Sequence, residues 1–170
     1  MSGIQLKKKF GSHPRLAGVE KFDLEEPLAP NGKTFQTILL INVLEHIQDP
    51  QVALRGLLSK LAPNGKLLVL VPAYRWLYCQ LDRQLGHHRR FNRKSLTQEL
   101  DEAGYRIENL RSFNAMGIVG WGVWGKLLHG GLLQQGLIQT YETLMPLNKR
   151  VDKLFRNRIG LSLIAIASAK

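Results

Sequence analysis

The sequence predicts an α/β protein, and three observations carry that prediction. Residues 37–41 and 67–71 are continuous apolar runs rich in Ile, Leu and Val. Such runs suit strands covered on both faces, as in a parallel sheet. The segment between them has helical spacing, and a further apolar run, 161–169, closes the chain. Strands alternating with helices build α/β folds. At 170 residues, 44% of them hydrophobic, the chain is long enough for one domain with its own core.

Taken in order, residues 4–10 read as the tail of a basic helix stopped at Gly11, with Pro14 just beyond. Residues 16–22 read as a short strand ending at Asp23. Pro27, Pro30 and Asn31-Gly32 make 25–33 a loop. After the strand 37–41, Asp49 is an N-cap with Pro50 at the first helical position. Val52, Leu54, Leu57, Leu58 and Leu61 mark that helix's apolar face. Pro63-Asn64-Gly65 is turn chemistry, and the strand 67–71 stops at Pro72. Residues 93–103 read as a helix capped by Asn92 and ended by Gly104, and 105–112 as a strand. Residues 114–136 are apolar and glycine-rich, and helical spacing resumes from Ile138 to Phe155 with a break at Pro146.

Lys and Arg number 24 against 13 Asp and Glu, a formal charge of +11. That excess favours anionic partners, or is a solvated basic surface. The aromatic residues, 8%, do not interleave with the basic clusters, and no zinc-finger or RNA-recognition signature is present, so nucleic acid is not the expected partner. Cys79 is the single cysteine, which excludes an internal disulfide and suits a reducing, cytoplasmic setting. Lys7, Lys8 and Lys9 are not followed by an apolar stretch, so no signal peptide is expected.

Two motifs carry a resemblance. Asn42-Val43-Leu44-Glu45-His46-Ile47 is followed by Asp49, and Pro63-Asn64-Gly65-Lys66 leads into Leu67-Leu68-Val69-Leu70-Val71-Pro72. In that order, one helix apart, they resemble the class I S-adenosylmethionine-dependent methyltransferases, within the group that acts on small molecules. Tyr74, Trp76, Leu77 and Tyr78, then Leu81 to Phe91, resemble an insert of one bacterial branch. Leu100-Asp101-Glu102-Ala103-Gly104-Tyr105 resembles the helix-to-strand passage near the family domain's end. The implied architecture is an incomplete Rossmann-like sheet with its first two strands absent. It is one partial domain: core 16–72, insert 73–92, helix and strand 93–113, helical cap 114–158 and terminal strand 161–169.

The resemblance also implies a site for S-adenosylmethionine. Asp23 matches the acidic position that accepts from the adenine amino group, and Leu24 would offer a backbone N–H. Asn42 and Val43 lie at the C-terminal end of a strand, where open α/β sheets meet ligands. His46 is a cofactor contact or a histidine that orders the loop. Phe35-Gln36 stands where the family has Phe-Asp. A glycine-rich loop for the methionine end is not found upstream. This implies a shortened gene model, a split protein or a remnant. Without the first two strands, 37–41 would be an apolar edge open to a partner chain or a second copy. A non-catalytic subunit completed by such a partner is the alternative function.

Methyl transfer needs alignment, exclusion of water and, where the acceptor must lose a proton, a base. His87 and His88 are the candidate bases, Asp82 could orient one of them, and Arg89 and Arg90 could grip an anionic or lipid-linked small-molecule acceptor. The competing reading is a basic loop with Asp82 paired to an arginine. Tyr74, Trp76 and Tyr78 would wall the acceptor pocket or pack a cap. No metal is expected, because adjacent histidines alone make a poor cage. Trp121, Trp124 and Lys126 in an apolar segment, with Lys149, Arg150, Lys153, Arg156 and Arg158 beyond, suit a cap on the sheet or a peripheral contact with an anionic membrane. The membrane reading requires salt-sensitive binding to anionic vesicles.

Overall fold

The computed structural model describes residues 23–26, 28, 32–123, 150–155 and 157–170. The expected helix at 4–10, the expected strand at 16–22 and most of the expected helical cap lie outside the described residues. What is described is a four-stranded sheet with helices, the α/β class expected.

The first strand, β1, is Phe35–Ile41, and Pro50–Leu58 forms helix α1. Asp49 caps α1 as its sequence predicts, accepting from the Gln51 N–H at 3.0 Å, with Pro50 where no N–H is needed. Strand β2, Leu61–Pro72, runs parallel to β1 with Leu40 opposite Val69. The predicted turn at Pro63-Asn64-Gly65 sits inside this strand. Between Phe35 and Thr37 the partner on β2 moves from Leu61 to Lys66, so residues 62–65 bulge out of the ladder. Asn64 turns the chain with φ 61°. Gly65 is needed for closeness, because a Cβ there would meet the Ala62 carbonyl oxygen at 2.8 Å and that of Phe35 at 3.0 Å.

A short helix, α2, covers Gln80–Gln84, and α3 covers Arg93–Glu102. Asn92 caps α3 reciprocally: its Oδ1 accepts from the Ser95 N–H, and the Ser95 hydroxyl oxygen accepts from the Asn92 N–H. Gly104 leaves the helix at φ 94°. Strand β3 is Tyr105–Phe113, α4 is Ala115–Trp121, and β4 is Ser162–Ala169. The order across the sheet is β1-β2-β4-β3, with β4 antiparallel to both neighbours.

The core lies under α1 and α3. Leu67, Val69 and Val71 of β2, Leu54 of α1, Leu96 and Leu100 of α3, and Ala165 and Ala167 of β4 are fully buried together. Tyr105 is buried with them, and its hydroxyl donates to the Leu54 carbonyl at 2.9 Å. Burial pushes that phenol far above its ordinary pKa. The alternate β2 residues, Leu68 and Leu70, are only half-buried.

The expectation that β1 is covered on both faces needs correction. Only Leu40 is buried, while Phe35, Leu39 and Ile41 are 51%, 58% and 51% exposed. The reason is position: among the described strands β1 pairs on one side only, which is the apolar edge anticipated from strand order. Among the described residues no helix is long and apolar enough to cross a membrane.

Candidate functional site

Because β1 and β2 are parallel, the loops leaving their C-terminal ends emerge at the same margin of the sheet. Asn42 ends β1 in a left-handed conformation, φ 50°, and its N–H still donates to the Leu70 carbonyl at 2.9 Å. A single 3₁₀ turn, Leu44–His46, follows; it buries Leu44 and Glu45 and sets His46 toward solvent. The Asp23–Glu26 segment docks on the same loop, since Glu25 Oε1 accepts from the Gln48 N–H at 2.9 Å. Leu24 and Val43 are both half-buried against the core. The five residues expected around the cofactor, Asp23, Leu24, Asn42, Val43 and His46, are thus gathered near one strand end. Asp23 is exposed, with Oδ1 accepting from the Glu25 N–H at 3.0 Å. An exposed acceptor beside a chain turned outward at a strand end fits the polar, planar adenine end of S-adenosylmethionine.

The insert after β2 folds back over this loop. Ala73 forms a parallel bridge with Phe91, so both ends of the insert are fixed to the sheet's margin. The His88 N–H donates to the Glu45 carbonyl at 2.8 Å, and an Arg89 guanidinium nitrogen donates to the Gln48 carbonyl at 2.7 Å. His46 Nδ1 lies 3.1 Å from the Gly86 carbonyl. Gly86 has φ 78°, which a side chain adopts only with strain, and this turn brings the following histidines back over Glu45.

Asp82 is the hub of the insert. It is fully buried, and Oδ1 accepts from His87 Nδ1 at 2.8 Å and from Arg90 Nε at 2.7 Å. Oδ2 accepts from the Cys79 N–H at 3.0 Å. Burial pushes the Asp82 carboxyl up, but the hydrogen bonds from His87 and Arg90 and the guanidinium charge outweigh it, and the group is held below the usual carboxylate range. Asp82 therefore makes both of the contacts that the sequence allowed, one to a histidine and one to an arginine.

The other predicted acceptor-side residues are placed differently from one another. Arg90 is buried, donates through Nη1 to the Ala73 carbonyl at 3.1 Å and lies 4.5 Å over the Trp121 ring. Its guanidinium is committed to the fold, which sets it apart from the ligand-gripping arginine expected. Tyr78 donates to the His87 carbonyl at 2.8 Å, so it braces the histidine turn. Tyr74 and Trp76 sit with ring centroids 5.7 Å apart, Trp76 being 60% exposed. His88 is exposed and Arg89 half-buried.

Glu45 is the residue that sequence reasoning left unassigned. It is fully buried with His87 Nε2 4.0 Å from Oε1. Burial raises its pKa, against smaller lowering effects from its own nearby backbone amide and the His87 and Arg90 charges. Burial likewise lowers the pKa of His46. The available signal was a carboxylate set among Val43, Leu44 and Ile47.

The methyltransferase-domain family matches residues 8–110. Among solved structures, a SAM-dependent methyltransferase from Archaeoglobus fulgidus aligns over 96% of this chain and 79% of its own, at 17% identity and a TM-score of 0.53. An S-adenosylmethionine-dependent methyltransferase from Clostridium acetobutylicum ATCC 824 aligns over 98% of this chain and 70% of its own, at 9% identity and a TM-score of 0.58. No curated protein matches the sequence. At these identities the structures speak for the fold, while the family match covers more than half of the chain. The chain belongs to the methyltransferase-domain family, and its fold is shared with S-adenosylmethionine-dependent methyltransferases.

Proposed function

We propose that the chain transfers a methyl group to an oxygen or nitrogen atom of a small anionic acceptor bound between the β1 loop and the insert. The observation that carries this reading is the convergence of the cofactor-side turn and the Asp82–His87 pair at one margin of the sheet. The cofactor supplies an electrophilic methyl group on a sulfonium.

The chain's own residues do the rest. Asp23 accepts from the adenine amino group and the Leu24 N–H meets the ring, while the Asn42–Val43 backbone and His46 line the approach. His87 takes the acceptor's proton at Nε2. Its Nδ1 proton is committed to the Asp82 carboxylate, which fixes the ring and stabilises the imidazolium that forms. Arg90 acts through Asp82, and Tyr78 through the His87 backbone. Arg89 and the Tyr74–Trp76 pair face the acceptor, with His88 as the alternative base. A lipid-linked acceptor would bring the chain to an anionic membrane, a reading supported by exposed Val119, Leu154 and Ile159 with Arg150 and Lys153 nearby in sequence; binding to anionic vesicles tests it.

His87→Ala should lower turnover by about 10²–10⁴-fold, the usual contribution of a positioned base, with little change in S-adenosylhomocysteine affinity. Release of S-adenosylhomocysteine in the presence of acceptor measures this. Undiminished turnover in both His87→Ala and His88→Ala would return the cluster to a structural role.

A further inference from the structure

Neither the fold nor methyl transfer accounts for Glu45. Its side chain is fully buried, and both carboxylate oxygens lack a hydrogen-bond partner among the described residues. Buried carboxylates are ordinarily hydrogen-bonded, paired or bound to a metal. Around it stand two imidazoles from separate loops. One ligand atom from each of Glu45, His46 and His87 lies within 4.8 Å of the others. The two rings are 4.7 Å apart at 75°.

The outer partners of both rings point the same way. His87 Nδ1 faces the Asp82 carboxylate, which accepts only, so Nδ1 holds the proton and the lone pair falls on Nε2, toward Glu45. His46 faces the Gly86 carbonyl, which likewise only accepts. Histidines whose second nitrogen is held by a carboxylate or a carbonyl are the usual ligands of protein-bound metals. This grouping is not legible in the sequence, because His87 pairs across the fold with His46 and Glu45 and its neighbour His88 is turned to solvent.

We propose that Glu45, His46 and His87 bind a divalent transition-metal cation, zinc fitting best, through one carboxylate oxygen and a ring nitrogen of each histidine. Two imidazoles and a carboxylate with an open fourth position are a zinc donor set, and the nitrogen donors disfavour magnesium or calcium. Zinc bonds of about 2.1 Å need ligand atoms about 3.4 Å apart in a tetrahedron. The three side chains therefore close in by about an ångström, within reach of side-chain rotation. The open position would take an acceptor hydroxyl and lower its pKa, so that its proton passes to solvent water rather than to His87, whose Nε2 lone pair would then be on the metal. That role rests on the methyl-transfer reading; the binding itself does not.

The test is calorimetric titration of zinc chloride into the chelator-treated full chain, with metal analysis of the protein as purified. One equivalent should bind. Glu45→Gln and His46→Ala should each weaken binding at least tenfold, and Asp82→Asn, acting through His87, about 10–100-fold. Glu102→Gln, on the exposed face of α3, should not change it. His46 lies near solvent, so its variant tests the site even if the buried Glu45 variant folds poorly. No zinc uptake by the folded protein, or uptake indifferent to both variants, would overturn the proposal. Zinc binding lost in those variants supports it whether or not methyl transfer is found. Methyl transfer by a protein that takes up no zinc would keep the enzyme reading and remove the cation.

Discussion

Asp82 shows how one buried carboxylate can be tolerated and put to use. It is out of contact with water, yet three donors meet it: His87 Nδ1, Arg90 Nε and the Cys79 N–H. Removing it would strand the buried Arg90 charge between the Ala73 carbonyl and the Trp121 ring. Asp82→Ala should therefore cost about 3–5 kcal/mol, the range for breaking a buried ion pair from one side. Urea denaturation would measure this, and a loss under about 1 kcal/mol, the worth of an exposed pair, would mean that the pair is solvated in solution. The sequence allowed Asp82 to meet either a histidine or an arginine. It could not show that both contacts are made by one oxygen, because that depends on the turn at Gly86 and on how the insert is pinned at Phe91. Glu45 was harder still, since its partners come from a loop about forty residues away in the chain.

At the scale of elements, local chemistry was legible and pairing was less so. Asp49 with Pro50, and Asn92 with Gly104, bound α1 and α3 because caps and stops act within a few residues. The turn at Pro63-Asn64-Gly65 was also readable, but its place as a bulge inside β2 is a matter of register against Phe35 and Thr37, which no local signal encodes. The two-sided burial predicted for β1 followed from its apolar run, and the order of the described strands leaves it exposed at an edge. An exposed apolar edge invites another strand. Leu39, 58% exposed on that edge, is the residue to change. If β1 pairs with a second copy, light scattering should show concentration-dependent association, and Leu39→Lys should suppress it. A wild-type chain that stays monomeric at high concentration would exclude pairing through this edge.

Across the whole molecule, the proposed site depends on two loops meeting. The β1 loop gathers the residues proposed for the cofactor, the insert brings the histidines, and hydrogen bonds from His88 and Arg89 to Glu45 and Gln48 hold the two together. The family was legible from two short motifs because they encode the strand ends at which ligands of open α/β sheets bind. The acceptor was not, because the residues proposed to recognise it, Arg89, Tyr74 and Trp76, are of types that suit many small anions. The placement of the cofactor is the claim on which the rest stands, and titration of S-adenosylhomocysteine into the purified chain and its Asp23→Ala variant tests it most directly. One-to-one binding is expected, and Asp23→Ala should weaken it by about 1–3 kcal/mol, the cost of an unmet hydrogen bond. No binding by the folded chain, or equal affinity in the variant, would contradict it.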